Sequence, residues 1–287
     1  MIVVDRSIDL LNFQQFYLRR NIKMRKIKNL TLSLLSVITM SATNTATAGE
    51  VLNLLAVDSD LATFSGSITG EAKKVGTGTV LMSGSSPSMT SLEINVGTIQ
   101  ASAASALGQL VDFTGGALEI LANSTVNLPA VRMTSSGTIT AHHDAVSTIG
   151  TATGSGPLTL AAGPVATGET NGIHVIGGDL SACTSTVAVG LGTDAPVVQA
   201  GGVGSATPSG AMTVNNRAFL QLVDVATNSI TGAVDVLAGG TVQLDPSLVV
   251  PSGSDMFVST VNFRSNSTLW LRHGSNWGKN IVVGAAG

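Results

Sequence analysis

The sequence predicts an all-β chain, specifically a parallel β-helix (β-solenoid) with coils of about 20 residues. Three observations carry this expectation. Hydrophobic residues make up 44% of the 287, yet only 3% are aromatic and 11% charged, with 33 glycines. An ordinary globular enzyme carries about twice that charged fraction, and disordered chains lack the aliphatics. Second, a Gly-x-aliphatic triplet recurs at Gly78, Gly97, Gly116, Gly137, Gly156 and Gly178, stepping by 19, 19, 21, 19 and 22 residues. It is preceded by Gly66-Ser-Ile68 and resumes less regularly at Gly210, Gly232 and Gly240. Third, short stretches alternate apolar and polar residues with period two, as strands do. Strands spaced for β-sandwich domains are the alternative architecture.

The N-terminus reads as an address. Seven of the 14 basic residues precede residue 30, against two acids, Asp5 and Asp9. Arg25, Lys26 and Lys28 precede an apolar core, Leu30 to Met40, and Ala46-Thr47-Ala48 places small residues at the −3 and −1 positions of a cleavage site. The core is too short to span a bilayer, which takes about 20 apolar residues. Residues 24–48 are therefore expected to be a signal peptide cut between Ala48 and Gly49. Residues 1–23 read as upstream sequence from a start assigned too early, or as a lengthened basic region. Residues 49–287 form the solenoid domain. They hold no apolar run of membrane-spanning length, so a secreted or cell-surface, outer-membrane-associated location is expected, with the periplasm as the alternative.

From residue 30 onward the chain holds seven basic and fifteen acidic residues. Nucleic acid demands clustered Lys and Arg, so nucleic-acid binding is not expected. The pair Lys73–Lys74 reads as a solvated turn. The single cysteine, Cys183, reads as a small buried residue rather than a reactive thiol.

Each glycine of the period allows a sharp corner, and the residues after it alternate inward and outward. In Leu92-Glu-Ile-Asn-Val96 the aliphatics Leu92, Ile94 and Val96 are expected in the core, with Glu93 and Asn95 outside. Thr241 to Leu244 and Val261 to Phe263 read the same way. The best helical stretch, Ser102 to Leu110, is interrupted by Gly108.

At Lys74-Val-Gly-Thr-Gly-Thr-Val-Leu-Met-Ser-Gly84 the chain resembles the autotransporter-associated β-strand repeat: an opening G-x-G-T-L-x-L-S-G strand, a polar stretch, then a closing strand ending in G-T-L. Here Ser85 to Ser91 is the polar stretch and Leu92 to Gln100 the closing strand, with Gly97-Thr98-Ile99 in the G-T-L place. Gly154 to Leu160 is similar to the opening strand again. The resemblance covers about two units. It implies a surface-displayed passenger of a Gram-negative bacterium, although the C-terminal barrel that such proteins carry does not follow here.

Two clusters could carry chemistry. Glu93 and Asp112 each lie fifteen residues after their glycine, Gly78 and Gly97, so they are expected to stack on adjacent coils facing out. A carboxylate pair about 5 Å apart suits a retaining glycosidase. The third position of that column is expected to be Val131, with no basic or aromatic neighbour completing a sugar site. The second cluster is His142-His143-Asp144: on a strand His142 and Asp144 would share one face, and two such ligands make an incomplete zinc site, so the cluster reads as a polar loop or outer face. Gly201-Gly-Val-Gly-Ser-Ala206 resembles a calcium nonapeptide but has alanine where aspartate is required. The expectation is an exported, non-catalytic solenoid, adhesin-like or antigen-like, with no cofactor or metal, binding a host or cell-surface macromolecule. A polysaccharide lyase or hydrolase on the same fold, or the remnant of a truncated autotransporter, are the alternatives.

Overall fold

In the computed structural model the chain divides into Met1–Leu34 and Leu35–Gly287. The structure describes residues 38–40, 44–45, 51–58, 60–202, 208–225, 232–244, 260–271 and 282–283, all in the second unit. The cleavage residues Ala46, Ala48 and Gly49 lie outside the described residues, as does the segment 203–207.

The described residues form an all-β solenoid of stacked parallel strands. Sheet one runs through Ile38–Met40, Leu61–Phe64, Thr79–Met82, Thr98–Ala101, Ala117–Ile120, Gly137–Ala141, Leu158–Ala162, Thr186–Val189, Ala211–Val214, Ala233–Val236, Val261–Phe263 and Val282–Val283. Sheet two starts with Asn44–Thr45 and Val51–Leu55, both paired with Ile68–Val75. It continues through Met89–Ile94, Leu110–Phe113, Thr125–Met133, Val146–Gly154, Ile173–Ile176, Val197–Gly202, Phe219–Val225, Thr241–Leu244 and Thr268–Leu271. From Leu61 onward the described strands alternate between the sheets, so successive strands of one sheet pair a coil apart.

Parallel pairing in register stacks like on like. On sheet one, Val80, Ile99, Leu118, Ile139, Leu160, Val189, Val214, Val236 and Phe263 form one inward column. All nine are buried. Removing such side chains from water at about 25 cal/mol per Å² is what holds coils together that have no core alone.

The structure changes several details of the glycine reading. Gly97 and Gly116 take φ of 74° and 75°, as a corner glycine should. However, Gly137 pairs with Leu158, not with Gly156, and Leu158 pairs with Val187. The triplet Gly178-Asp-Leu180 lies outside both sheets, and Gly66 and Gly240 precede strands of sheet two. The expected closing strand Leu92 to Gln100 is broken at Gly97 into Met89–Ile94 on sheet two and Thr98–Ala101 on sheet one. Val96 therefore sits at a corner and is 36% exposed, while Leu92 and Ile94 are fully buried. The expected turn at Lys73–Lys74 is instead part of the strand Ile68–Val75.

At three successive strands of sheet one, Gly97, Gly116 and Gly137 make room for a large side chain from sheet two: Lys74, Ile94 and Phe113 respectively. A Cβ on Gly137 would stand 2.5 Å from the Phe113 ring and 2.9 Å from Met133 Cε. Sheet two supplies that bulk through the column Lys74, Ile94, Phe113 and Met133. One coil further on, both partners switch. Met133 gives way to Gly154 and Gly137 gives way to Leu158. The volume is conserved although the side that provides it changes, as close packing demands.

Candidate functional site

The outward face of sheet two carries a charged ladder. Register places Lys73, Glu93, Asp112 and Arg132 in one column across four consecutive strands. Neighbouring strands lie about 4.8 Å apart, so the two carboxylates do stack as expected. The column continues to Arg132 rather than Val131, because the register between Leu110 and Ala130 advances by 20 residues, not 19. Val131 is buried in the core. Basic neighbours, which the sequence reading missed, are therefore present at both ends of the acid pair.

Each acid is already engaged. Lys73 Nζ lies 2.8 Å from Glu93 Oε1, and Thr114 Oγ1 donates to the same oxygen at 2.9 Å. The Lys73 hydrogen bond, helped by Thr114, holds the Glu93 carboxyl below the usual glutamate range against the opposing effect of burial. Arg132 Nη2 donates to Asp112 Oδ2 at 2.5 Å, and Thr134 Oγ1 donates to Asp112 Oδ1 at 2.8 Å. Asp112 is thereby covered, its side chain only 8% exposed, whereas Arg132 remains 52% exposed. Pairing with Asp112 raises the Arg132 guanidinium further above its usual range. Asn95 Nδ2 donates to Thr114 Oγ1 at 3.2 Å and extends the polar network along the next column.

The His142-His143-Asp144 cluster is not on a strand. It forms the corner after Gly137–Ala141, with Asp144 in the left-handed region at φ 54°. The polar-loop placement is the one realised, so His142 and Asp144 do not share a strand face. Instead His143 Nδ1 faces Asp144 Oδ2 at 3.4 Å and Glu169 Oε1 at 3.6 Å, while His142 Nε2 faces Glu119 Oε2 at 3.7 Å. Asp144 Oδ1 accepts from both the backbone N–H and the hydroxyl of Thr170. The Thr170 hydroxyl first, and His143 next, hold the Asp144 carboxyl below its ordinary range. Among the described residues no group of three or more His, Cys, Asp or Glu is arranged to hold a metal ion.

Two buried polar groups, Lys74 and His174, escaped the sequence reading or were placed elsewhere by it. Lys74 is fully buried, with Nζ 2.6 Å from Gly76 O, 3.0 Å from Val75 O and 3.4 Å from Val96 O. Burial lowers it to about 8; the three carbonyls favour the ammonium in return. His174 is also fully buried, with Nδ1 2.7 Å from Ser147 Oγ and Nε2 2.8 Å from Ala161 O. Burial pushes His174 down to about 4, against the raising effects of Ala161 O and Asp194. Cys183 is buried as expected, which raises its thiol. The sequence signal for Lys74 is its place in the inward alternation of Ala72 and Lys74, which a charged residue disguises.

The fold and this face together define a parallel β-solenoid with an outward salt-bridge ladder. Comparison of the chain with protein-family models, with curated proteins and with solved structures finds no match. No helix among the described residues is long and apolar enough to cross a membrane.

Proposed function

We propose that the chain is an exported, non-catalytic β-solenoid whose outward faces and corner loops contact a host or cell-surface macromolecule, in the manner of an adhesin or surface antigen. The observation that carries this reading is the state of the two stacked acids. A retaining glycosidase needs one carboxyl neutral, as the acid, and one free, as the nucleophile. Here Lys73 keeps Glu93 ionised and both oxygens of Asp112 are occupied. A ladder satisfied in this way stabilises a face rather than a transition state. The autotransporter-like motif at Lys74 to Gly84 and the signal-like segment 24–48 supply the argument for export to a Gram-negative surface.

Labelling of intact cells tests the reading. An antibody or protease that cannot cross the outer membrane should reach the mature chain, and purified chain should bind a cell or matrix surface. Retention in the cytosol overturns it. The lyase or hydrolase reading keeps one specific observation in its favour: Arg132 stands beside the acid pair, as a groove that recognises acidic sugars requires. Depolymerisation of pectin, alginate or a glycosaminoglycan that is lost in Glu93→Gln or Asp112→Asn would decide for it.

A further inference from the structure

The corner that carries the two histidines spans residues 142–145, and the equivalent corner of the next coil is a loop of ten residues, 163–172. We propose that His142 and His143 form a clasp, tightened by acid, that fastens this loop and the preceding coil to the corner. His143 Nδ1 stands between two carboxylate oxygens, Asp144 Oδ2 on its own turn and Glu169 Oε1 on the loop. A neutral imidazole presents at that nitrogen either one hydrogen, enough for one carboxylate, or a lone pair that repels both. Protonation places a full positive charge and a donor between the two.

His142 repeats the arrangement on the other side. Its Nε2 is buried without a hydrogen-bond partner and faces Glu119 Oε2, which accepts from Gln100 Nε2 at 2.9 Å. Glu119 from the preceding coil, Asp144 from the turn and Glu169 from the loop are the carboxylates that face the pair. The backbone contacts of the pair are neutral: Asn123 N–H to His143 O at 3.2 Å, His142 N–H to Ile120 O at 3.0 Å and Ala145 N–H to His142 O at 3.1 Å. Glu169 Oε2 also accepts from Ala166 N at 2.8 Å, so pulling on Glu169 pulls on the shape of the loop. Thr170 anchors to Asp144 at any pH at which that carboxylate is ionised. The histidines add the part that changes when an imidazole takes up a proton.

Hydrogen exchange of the full chain, read by mass spectrometry as protection factors at pH 7.5 and 5.5, tests this. Protection of 163–172 relative to the sheet-one strand Ala211–Val214 should rise roughly two- to fivefold on acidification, the range of a partly exposed ion pair. His143→Gln keeps a polar side chain without the charge and should abolish the rise. Glu169→Gln, on the exposed loop, should reduce it independently of any folding defect at the corner. Equal relative protection at both pH values in the wild type overturns the clasp. So does a rise that survives in both variants.

Discussion

Lowering the pH from 7.5 to 4.5 should cost the fold about 2–3 kcal/mol through His174 alone, a magnitude that follows from linkage. Burial holds this imidazole neutral down to about 4 in the folded chain, against 6.5 when exposed. Because the folded value is depressed, the unfolded chain takes up a proton first. The contribution is thus fully present above about 6.5, declines as pH falls through that window, and changes no further below about 4. At 1.36 kcal/mol per pH unit the full gap is worth about 3 kcal/mol, of which most has been lost by pH 4.5. Urea unfolding of the wild type and of Ser147→Ala/His174→Leu, each at both pH values, isolates the effect. The double variant removes the titrating group and its hydroxyl partner together, leaving only Ala161 O without its donor. Its absolute stability falls, but its loss on acidification should be smaller than the wild type's by about 2–3 kcal/mol. An identical loss in both proteins would show that the buried imidazole accepts a proton without penalty, and the reasoning would fail.

Ile94→Asp buries an unpaired charge at a fully buried position and should unfold the surrounding coils, whereas Glu93→Lys trades one exposed pair and should change stability by about 1 kcal/mol or less; equal thermal shifts would contradict the assigned faces. Gly137→Ala should destabilise by about 1–3 kcal/mol through overpacking against Phe113, and Phe113→Leu should recover part of that loss in the double variant's melt. Arg132→Ala should lower stability at neutral pH by about 1–2 kcal/mol because it strips the covered Asp112 of its charged partner; an unchanged denaturation midpoint would mean that the ladder is ornamental. Treatment with a chelator should leave the melting temperature unchanged, and a drop would reveal a structural ion. Mass spectrometry of the exported protein should find Gly49 at its N-terminus; an intact Met1 or Met24 there refutes the signal assignment.

The fold class was legible because inward aliphatics and corner glycines recur with the coil, and both follow from backbone geometry that any sequence must obey. Coil length was legible only on average. The steps from Leu158 to Val187 and from Val187 to Met212 are 29 and 25 residues, and the added residues sit in loops whose sequences carry no period. That unevenness explains the displaced column member. One additional residue between Asp112 and Arg132 moved the expected position onto Val131 and concealed both the guanidinium and the charge pairing. At His142 to Asp144 the polar-loop reading holds and no shared strand face forms, because alternation stops at the corner. Asp144 takes the left-handed conformation that short polar side chains tolerate. The partner Glu169 could not be read from the sequence at all, since only the long loop carries it back to the histidines.

The switch of bulk between the two sheets gives the stack a grammar that constrains how it can be shortened or lengthened. In successive early coils a large residue of sheet two is followed by a glycine of sheet one, as Ile94 is by Gly97, Phe113 by Gly116 and Met133 by Gly137; at Gly154 and Leu158 the order is reversed. Excising residues 116–136 would join Phe113 to Gly137 and leave a permitted phrase. Excising residues 137–157, a segment of the same length, would join Met133 to Leu158 and force two large side chains into space for one. Two deletions that look alike in the repeat are thus opposite in consequence, and the coils behave as ordered words rather than as interchangeable beads.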